Sequence, residues 1–391
     1  MARWCFMYTQ EYLEAVEKAI CDLQSGKRVT SVSYGDTHVQ YATINIDELL
    51  KLRSQIKAGL SDTNPRKRQV IFSTSKGGAM IRIADLYAGI GGIRLGFEQA
   101  FEKENVYCVF TSEIDKYAVM TYSANFEDKN IFGDIRKISA SEIPDHDILL
   151  AGFPCQSFSV AGLKKGFADE RGQAFFEIER ILKAKKPPLL FLENVPNLKD
   201  LNNGAVFQFI LEHLKEIGYK INYEILNGKD FGVLQNRRRL YIVGSLDYGK
   251  NFEFPKPIGI KTCVSDIIEE NVDETYCLSD HRWNHIQERM KCGSTGWCSY
   301  KIFDENEPYT TTLLARYLSH PEKIMLKHPT GNPRRLTERE CARLQGFPDT
   351  FIIDRVPKTQ IYKQFGNSVC VPVIRAIANQ IKNTFFTEDL R

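Results

Sequence analysis

Cys155 stands in GFPCQSFS (152–159), behind a Phe-Pro step and ahead of a short polar run. A thiolate is the strongest nucleophile a side chain offers near neutral pH, so such a cysteine could attack an electrophilic carbon. A single cysteine is also more often a small core hydrophobe than a reagent. Its company separates the two readings. DLYAGIGG (85–92) carries Asp85 into a turn in which Gly89, Gly91 and Gly92 permit close backbone approach to a ligand. The spacing is neither GxGxxG nor a phosphate loop with its Lys-Ser/Thr pair. Glu113 in SEID (112–115) suits ribose hydroxyls, and Asp134 in GDI (133–135) suits an adenine amino group. Acidic residues in register with a glycine turn describe an adenosine pocket. Glu193 in ENV (193–195) follows PLLFL, and desolvation there would raise its pKa and let it donate a proton. QNRRR (235–239) supplies guanidinium forks suited to a carbonyl oxygen or a phosphate.

These residues need elements that bring them to one edge. IRIADLY (81–87), VYCVFTSE (106–113), DILLAGF (147–153), PLLFLENV (188–195) and RLYIVGS (239–245) read as strands. The short continuous apolar runs suit central parallel strands covered on both faces. Helices are predicted near 92–101, from about 115, and at 173–184, 204–217 and 368–384. Alternation of this length predicts a doubly wound α/β sheet, which binds ligands at the carboxyl ends of its strands. Cys155 then falls at the end of the fourth strand, beside the pocket.

The remaining sequence sets bounds. The chain has 391 residues, 43% apolar and 26% charged, as in an ordinary globular protein. A net charge of +3 is too weak to argue for nucleic acid by itself, although NPRKRQ (64–69) and QNRRRL (235–240) are locally basic. No run of eighteen apolar residues suggests a membrane span, so no membrane partner is expected. Ten cysteines without CxxC pairs, and no export signal, predict a reducing cytoplasm. His281, His285, Cys292 and Cys298 match no strong zinc spacing, and no metal is expected. Residues 1–63 read as a small α+β unit. It has a helix over 8–23, a hairpin about Tyr34-Gly35-Asp36 and a helix at 46–58, and a basic linker (64–80) follows.

In order, the motifs resemble those of the DNA cytosine-C5 methyltransferases from about residue 81 to 385. DLYAGIGGIRLGFE resembles their S-adenosylmethionine turn, GFPCQSFS the nucleophile motif, ENV the acid motif and QNRRRLYIVG the arginine motif. RRLTERECARLQGFPD (334–349) resembles the motif opening the C-terminal return, and QIYKQFGNSVCVPV (360–373) the last cofactor motif. Tyr87 stands where Phe usually stacks on adenine, and Ile114 where an aromatic often packs on its other face. The resemblance implies a Rossmann-like catalytic domain (81–244), a target-recognition domain (245–333) and a return segment (334–391). It implies S-adenosyl-L-methionine as methyl donor, held by the turn and strand-end residues above together with Ile135, Pro154, Asn367, Ser368 and Val369.

In the implied mechanism the Cys155 thiolate adds to C6 of a flipped-out cytosine, Glu193 serves N3, Arg239 holds O2, and Arg237 supports the site. Gln156 and Ser157 in the loop QSFSVAGLKKGFADERG (156–172) would face double-stranded DNA. So would Thr311, Thr312, Leu313 and Arg316 in TTTLLARY (310–317). The resembled enzymes act as monomers, either beside a cognate restriction endonuclease or alone as phage protectors. One branch methylates tRNA instead, but its Cys-Phe-Thr element is absent here and the long insert at 245–333 favours DNA. An idle DNA- or capsid-binding protein would not need Cys155, Glu193 and Arg239 intact. The N-terminal TQEYLEAVEKAICDLQSGKRV and DELLKLRSQIKAGL resemble small W-like head–tail joining proteins of tailed phages, which implies a prophage origin and a docking module.

Overall fold

The computed structural model describes residues 31–34, 37–40, 80–127, 131–154, 173–247, 249–291, 300–329 and 331–386. The chain forms two compact units, Met1–Val70 and Ile71–Arg391. In the first, β1 (Ser31–Tyr34) and β2 (Thr37–Gln40) pair antiparallel from Ser31↔Gln40 to Tyr34↔Thr37, as the hairpin pattern predicts. The helices expected at 8–23 and 46–58 lie outside the described residues.

The second unit is built on six strands: β3 (Ile81–Leu86), β4 (Val106–Ser112), β5 (Ile148–Gly152), β6 (Leu189–Asn194), β7 (Lys220–Asn227) and β8 (Arg238–Ser245). Their spatial order is β4-β3-β5-β6-β8-β7. β3 to β6 are mutually parallel, and the order reverses at β3, so the ends of β3 and β5 flank a crevice. β5 is buried along Ile148–Ala151 because helices cover both faces. On one face α1 (Gly92–Phe101) packs against α8 (Val371–Phe385). Gly96 lets them touch, since a β-carbon there would sit 2.5 Å from Ile374 Cγ2. On the other face α3 (Gln173–Lys185) and α4 (Ala205–Ile217) bury Phe175, Ile178, Leu182, Val206, Ile210 and Leu214. α2 (Lys116–Asn125) follows β4 and is capped by the Asp115 side chain.

Two features depart from the expected parallel sheet. β8 runs antiparallel to both neighbours, and β7, absent from the sequence-based prediction, forms the edge beside it. KINYEILN is half-buried and mixed in polarity, so it lacks the apolar run that marks a central strand. After β8 the chain returns along β7. Lys220 Nζ donates to Asn251 Oδ1, Asn222 Nδ2 to the Phe252 carbonyl, and the Ile258 amide to the Asp230 carbonyl.

Beyond it lie α5 (Asp280–Lys291) and a short parallel pair, β9 (Ile302–Phe303) and β10 (Met325–Leu326), around Leu278, Ile286 and Met325. α5 carries His281 and His285; Cys292 and Cys298 lie outside the described residues. α6 (Glu338–Leu344) opens with a Thr337/Glu340 capping box, and Glu340 also holds buried Arg334 through two bonds of 2.7 Å. α7 (Lys358–Asn367) leads back to the sheet. No described helix is long and apolar enough to cross a membrane.

Candidate active site

β5 and β6 pair so that Gly152 lies opposite Glu193. A β-carbon on Gly152 would fall 3.6 Å from Glu193 Oε2, so the exit of β5 passes directly over the carboxyl. Asn194 fixes that exit: its Nδ2 donates to the Phe153 carbonyl at 2.9 Å, and its Oδ1 accepts from the Val195 amide. Pro154 follows, exposed. Cys155, Gln156 and Ser157 lie outside the described residues.

Because β8 is antiparallel, its first residues reach the edge where β5 and β6 end. Arg239 Nε lies 3.2 Å from Glu193 Oε1, and the two side chains retain only 15% and 12% exposure. Burial raises the Glu193 pKa; attraction to Arg239 and Arg237 opposes the shift without reversing it. Arg239 Nη1 donates to the Arg238 carbonyl, which fixes its plane. The result is a nearly dry carboxyl and guanidinium, side by side, at the mouth of the crevice.

Arg237 takes another part. The residue is 2% exposed; Nη1 donates to the Leu313 carbonyl at 2.9 Å, and Nη2 to those of Gly366 (3.0 Å) and Ser368 (2.6 Å). Burial lowers its pKa to about 10, which leaves it charged at neutral pH. It therefore positions other segments and presents no donor to the mouth through those two nitrogens. Gln235, fully buried, accepts from the Leu313 amide and donates to the Leu344 carbonyl. Leu313 is itself fully buried, so its side chain belongs to the core. The Thr311 and Thr312 hydroxyls donate to the carbonyls of Lys323 and Asn236, leaving only lone pairs outward. Arg316 is exposed.

On the β3 side the glycine turn is built as required. Gly89 and Gly91 have φ of 57° and 84°, where a side chain is strained, and a β-carbon on Gly91 would strike the Phe126 ring. Glu113 Oε2 accepts from the Gly89 amide and Oε1 from the Asp115 amide, both at 2.7 Å. Tyr87, also at positive φ, donates its hydroxyl to the Ala174 carbonyl at the start of α3. Asp85 is buried beneath the turn. Residues 131–133 bridge to β4 at Ser112↔Phe132, which sets Asp134 beside Glu113 and buries Ile135. The Asp134 carboxylate meets Arg136 in a two-nitrogen pair, so an adenine amino group would share it with that guanidinium. Ser368 and Val369 close the pocket: a β-carbon on Gly92 would sit 2.9 Å from Ser368 Oγ and 3.0 Å from Val369 Cγ2. Asn367 is exposed beside them. Ile114 is 70% exposed next to two carboxylates. An apolar surface, acceptors for hydroxyls and an open glycine backbone fit an adenosine group.

The C-5 cytosine-specific DNA methylase family matches residues 81–383. The chain belongs to this family. It is 55% identical to the Type II methyltransferase M.NlaX of Neisseria lactamica over 306 residues, 78% of this chain and 96% of that protein. It is 50% identical to the Type II methyltransferase M.SsoII of Shigella sonnei over 309 residues, 78% and 80% of the two chains. The solved Entamoeba histolytica methyltransferase EhMeth superposes with a TM-score of 0.66 at 23% identity, covering 78% of this chain and 98% of that one, which shows the shared fold. The protein is a DNA cytosine-5 methyltransferase, and the family and fold support S-adenosylmethionine as its methyl donor.

Sequence reasoning about this methyltransferase missed the residues that brace the site. Asn194, Gln235 and Arg94 each stand inside a quoted motif, ENV, QNRRR and DLYAGIGGIRLGFE. Polar residues flanked by apolar runs were the available signal. Arg94 is buried, pairs with Glu98 at 2.6 Å, donates to the Tyr122 hydroxyl and lies 4.4 Å from the Phe126 ring centroid. It thereby props the aromatic ring beneath Gly91.

Proposed function

We propose that the enzyme methylates C5 of a cytosine flipped out of duplex DNA, with Cys155 as nucleophile, Glu193 as acid and Arg239 as the O2 ligand. The observation that carries these roles is the nearly dry Glu193–Arg239 pair facing Gly152 at the exit of β5, three residues before Cys155. C5 of cytosine is a poor nucleophile, so the ring must be activated. The Cys155 thiolate adds to C6 while Glu193 protonates or hydrogen-bonds N3, and the electron pair moves to C5. Arg239 stabilises O2 as charge develops there. S-adenosylmethionine, held by the Gly89–Gly92 turn, Glu113, Asp134 and Asn367–Val369, supplies the methyl group from its sulfonium. S-adenosylhomocysteine is left; loss of the C5 proton to solvent then expels Cys155 as thiolate, and return of the N3 proton to Glu193 restores the neutral aromatic ring. The Type II relatives support work beside a cognate restriction endonuclease. The family resemblance supports a monomer in the cytoplasm, with Arg316 and the Thr311 and Thr312 segment facing the DNA. The W-like resemblance of residues 1–63 supports a docking role for that unit.

The test is transfer of labelled methyl to mixed-sequence duplex DNA and to tRNA, with Cys155→Ala in parallel and bisulfite sequencing of the product. Label at one short DNA sequence, lost in the variant, is expected. Label on tRNA alone, or an active variant, would overturn the reading.

A further inference from the structure

We infer that Arg237 is a positioning residue that couples DNA docking to cofactor retention, so that each ligand strengthens the hold on the other. The inference rests on the reading above, which sets the cofactor beside Ser368 and DNA beside residues 311–316. Three backbone carbonyls converge on its guanidinium: Leu313 from the DNA-facing segment, and Gly366 and Ser368 from the cofactor-facing one. Among the described residues no carboxylate lies within ion-pair distance of it, so those carbonyls are the groups its two terminal nitrogens bond directly. At 2% exposure, water cannot replace any carbonyl that moves away. The two segments also touch directly. A β-carbon on Gly366 would fall 2.3 Å from the Ala315 nitrogen and 2.4 Å from the Leu314 oxygen, so backbone lies on backbone without slack. Gln235 holds the Leu313 amide from the other side, which leaves residue 313 clamped at both its N–H and its C=O. Ordering either segment therefore orders the other through a single buried fork, and linkage makes the effect equal in both directions. The fork geometry matters: a lysine ammonium could keep the charge but could not reach three carbonyls in one plane.

The experiment uses the full-length chain, S-adenosylhomocysteine, and unmethylated plasmid DNA that accepts label in the transfer assay. Cofactor affinity is measured with and without DNA, and DNA affinity with and without cofactor, for the wild type and Arg237→Lys. The wild type should show the same enhancement in both directions, about tenfold, and the variant an enhancement near one. Hydrogen exchange on the unmutated protein gives a second readout: S-adenosylhomocysteine alone should slow exchange in peptides covering 310–320. A purely structural Arg237 would weaken each binary affinity and leave the enhancement unchanged, which would overturn the inference. A wild type with no enhancement, or no change at 310–320, would overturn it as well. A wild type that binds no S-adenosylhomocysteine would overturn the cofactor reading together with it.

Discussion

Glu193 shows how one residue takes its chemistry from its surroundings. Burial raises its pKa and Arg239 at 3.2 Å pulls the other way, with burial prevailing. The protonated form is therefore favoured in the folded protein beyond the usual carboxylate range, and it is lost as pH rises through the folded pKa. The contribution to stability has the same sign: fully present below the unfolded pKa of glutamate and lost on passing the raised one. The pH profile of kcat should accordingly fall on its alkaline side as Glu193 ionises. Glu193→Gln should remove that limb and lower kcat about 100-fold, read by methyl transfer across pH; an unchanged limb would assign the titration to another group. Asn194 acts through geometry alone. Asn194→Ala frees the Phe153 carbonyl and should lower kcat by more than about tenfold while moving the DNA KM less, since a misplaced reacting group forfeits alignment. Steady-state kinetics separates the two terms.

At the scale of elements, α1 stands on the buried Arg94–Glu98 pair, and the ring against which Arg94 rests keeps Gly91 a glycine. Arg94→Met removes the counter-charge of buried Glu98 and should cost about 3–5 kcal/mol by urea denaturation. Arg94→Met with Glu98→Leu should recover a large part of that loss. If both variants lose the same amount, the pair is not what holds α1. Gly366→Ala should destabilise by about 1–3 kcal/mol, because the atoms in its way are backbone and cannot turn aside; thermal unfolding measures it. These elements differ in how legible they were. β3, β5 and β6 announce themselves as apolar runs because both faces are covered, and the glycine turn because its left-handed φ and the ring beside Gly91 favour glycine. β7 was invisible because an edge strand needs no such run. The burial of Leu313 was not legible, because a Thr-Leu segment looks alike whether the leucine points at a groove or into a core. The antiparallel sense of β8 leaves no trace in its own residues, since direction is set by the connections on either side.

For the whole molecule, the methylase match begins at residue 81, and the M.NlaX alignment covers 96% of that relative with 306 residues. A relative with almost nothing outside the aligned region shows that the family can do without a unit like Met1–Val70. Residues 71–391 form a compact unit by themselves, so removal of the first 70 should leave kcat within about twofold and preserve cooperative unfolding. Loss of methyl transfer in the soluble truncated protein would show instead that the N-terminal unit takes part in the reaction.

The direction of β8 sets a distance problem. Its arginines start at the reactive edge, and eight residues later the chain has been carried to the opposite edge of the sheet, about 26 Å away at strand rise. Thr310, which opens the segment proposed above to face DNA, must nevertheless lie beside Asn236, at the edge just left. The chain between 246 and 258 is therefore a return tether laid along β7, and it brings Ile258 back to Asp230. Fully extended it could reach about 43 Å, so its slack amounts to only a few residues. Shortening it beyond that would pull Thr310 away from Asn236, whereas lengthening it would add loop on the far edge and leave that contact alone.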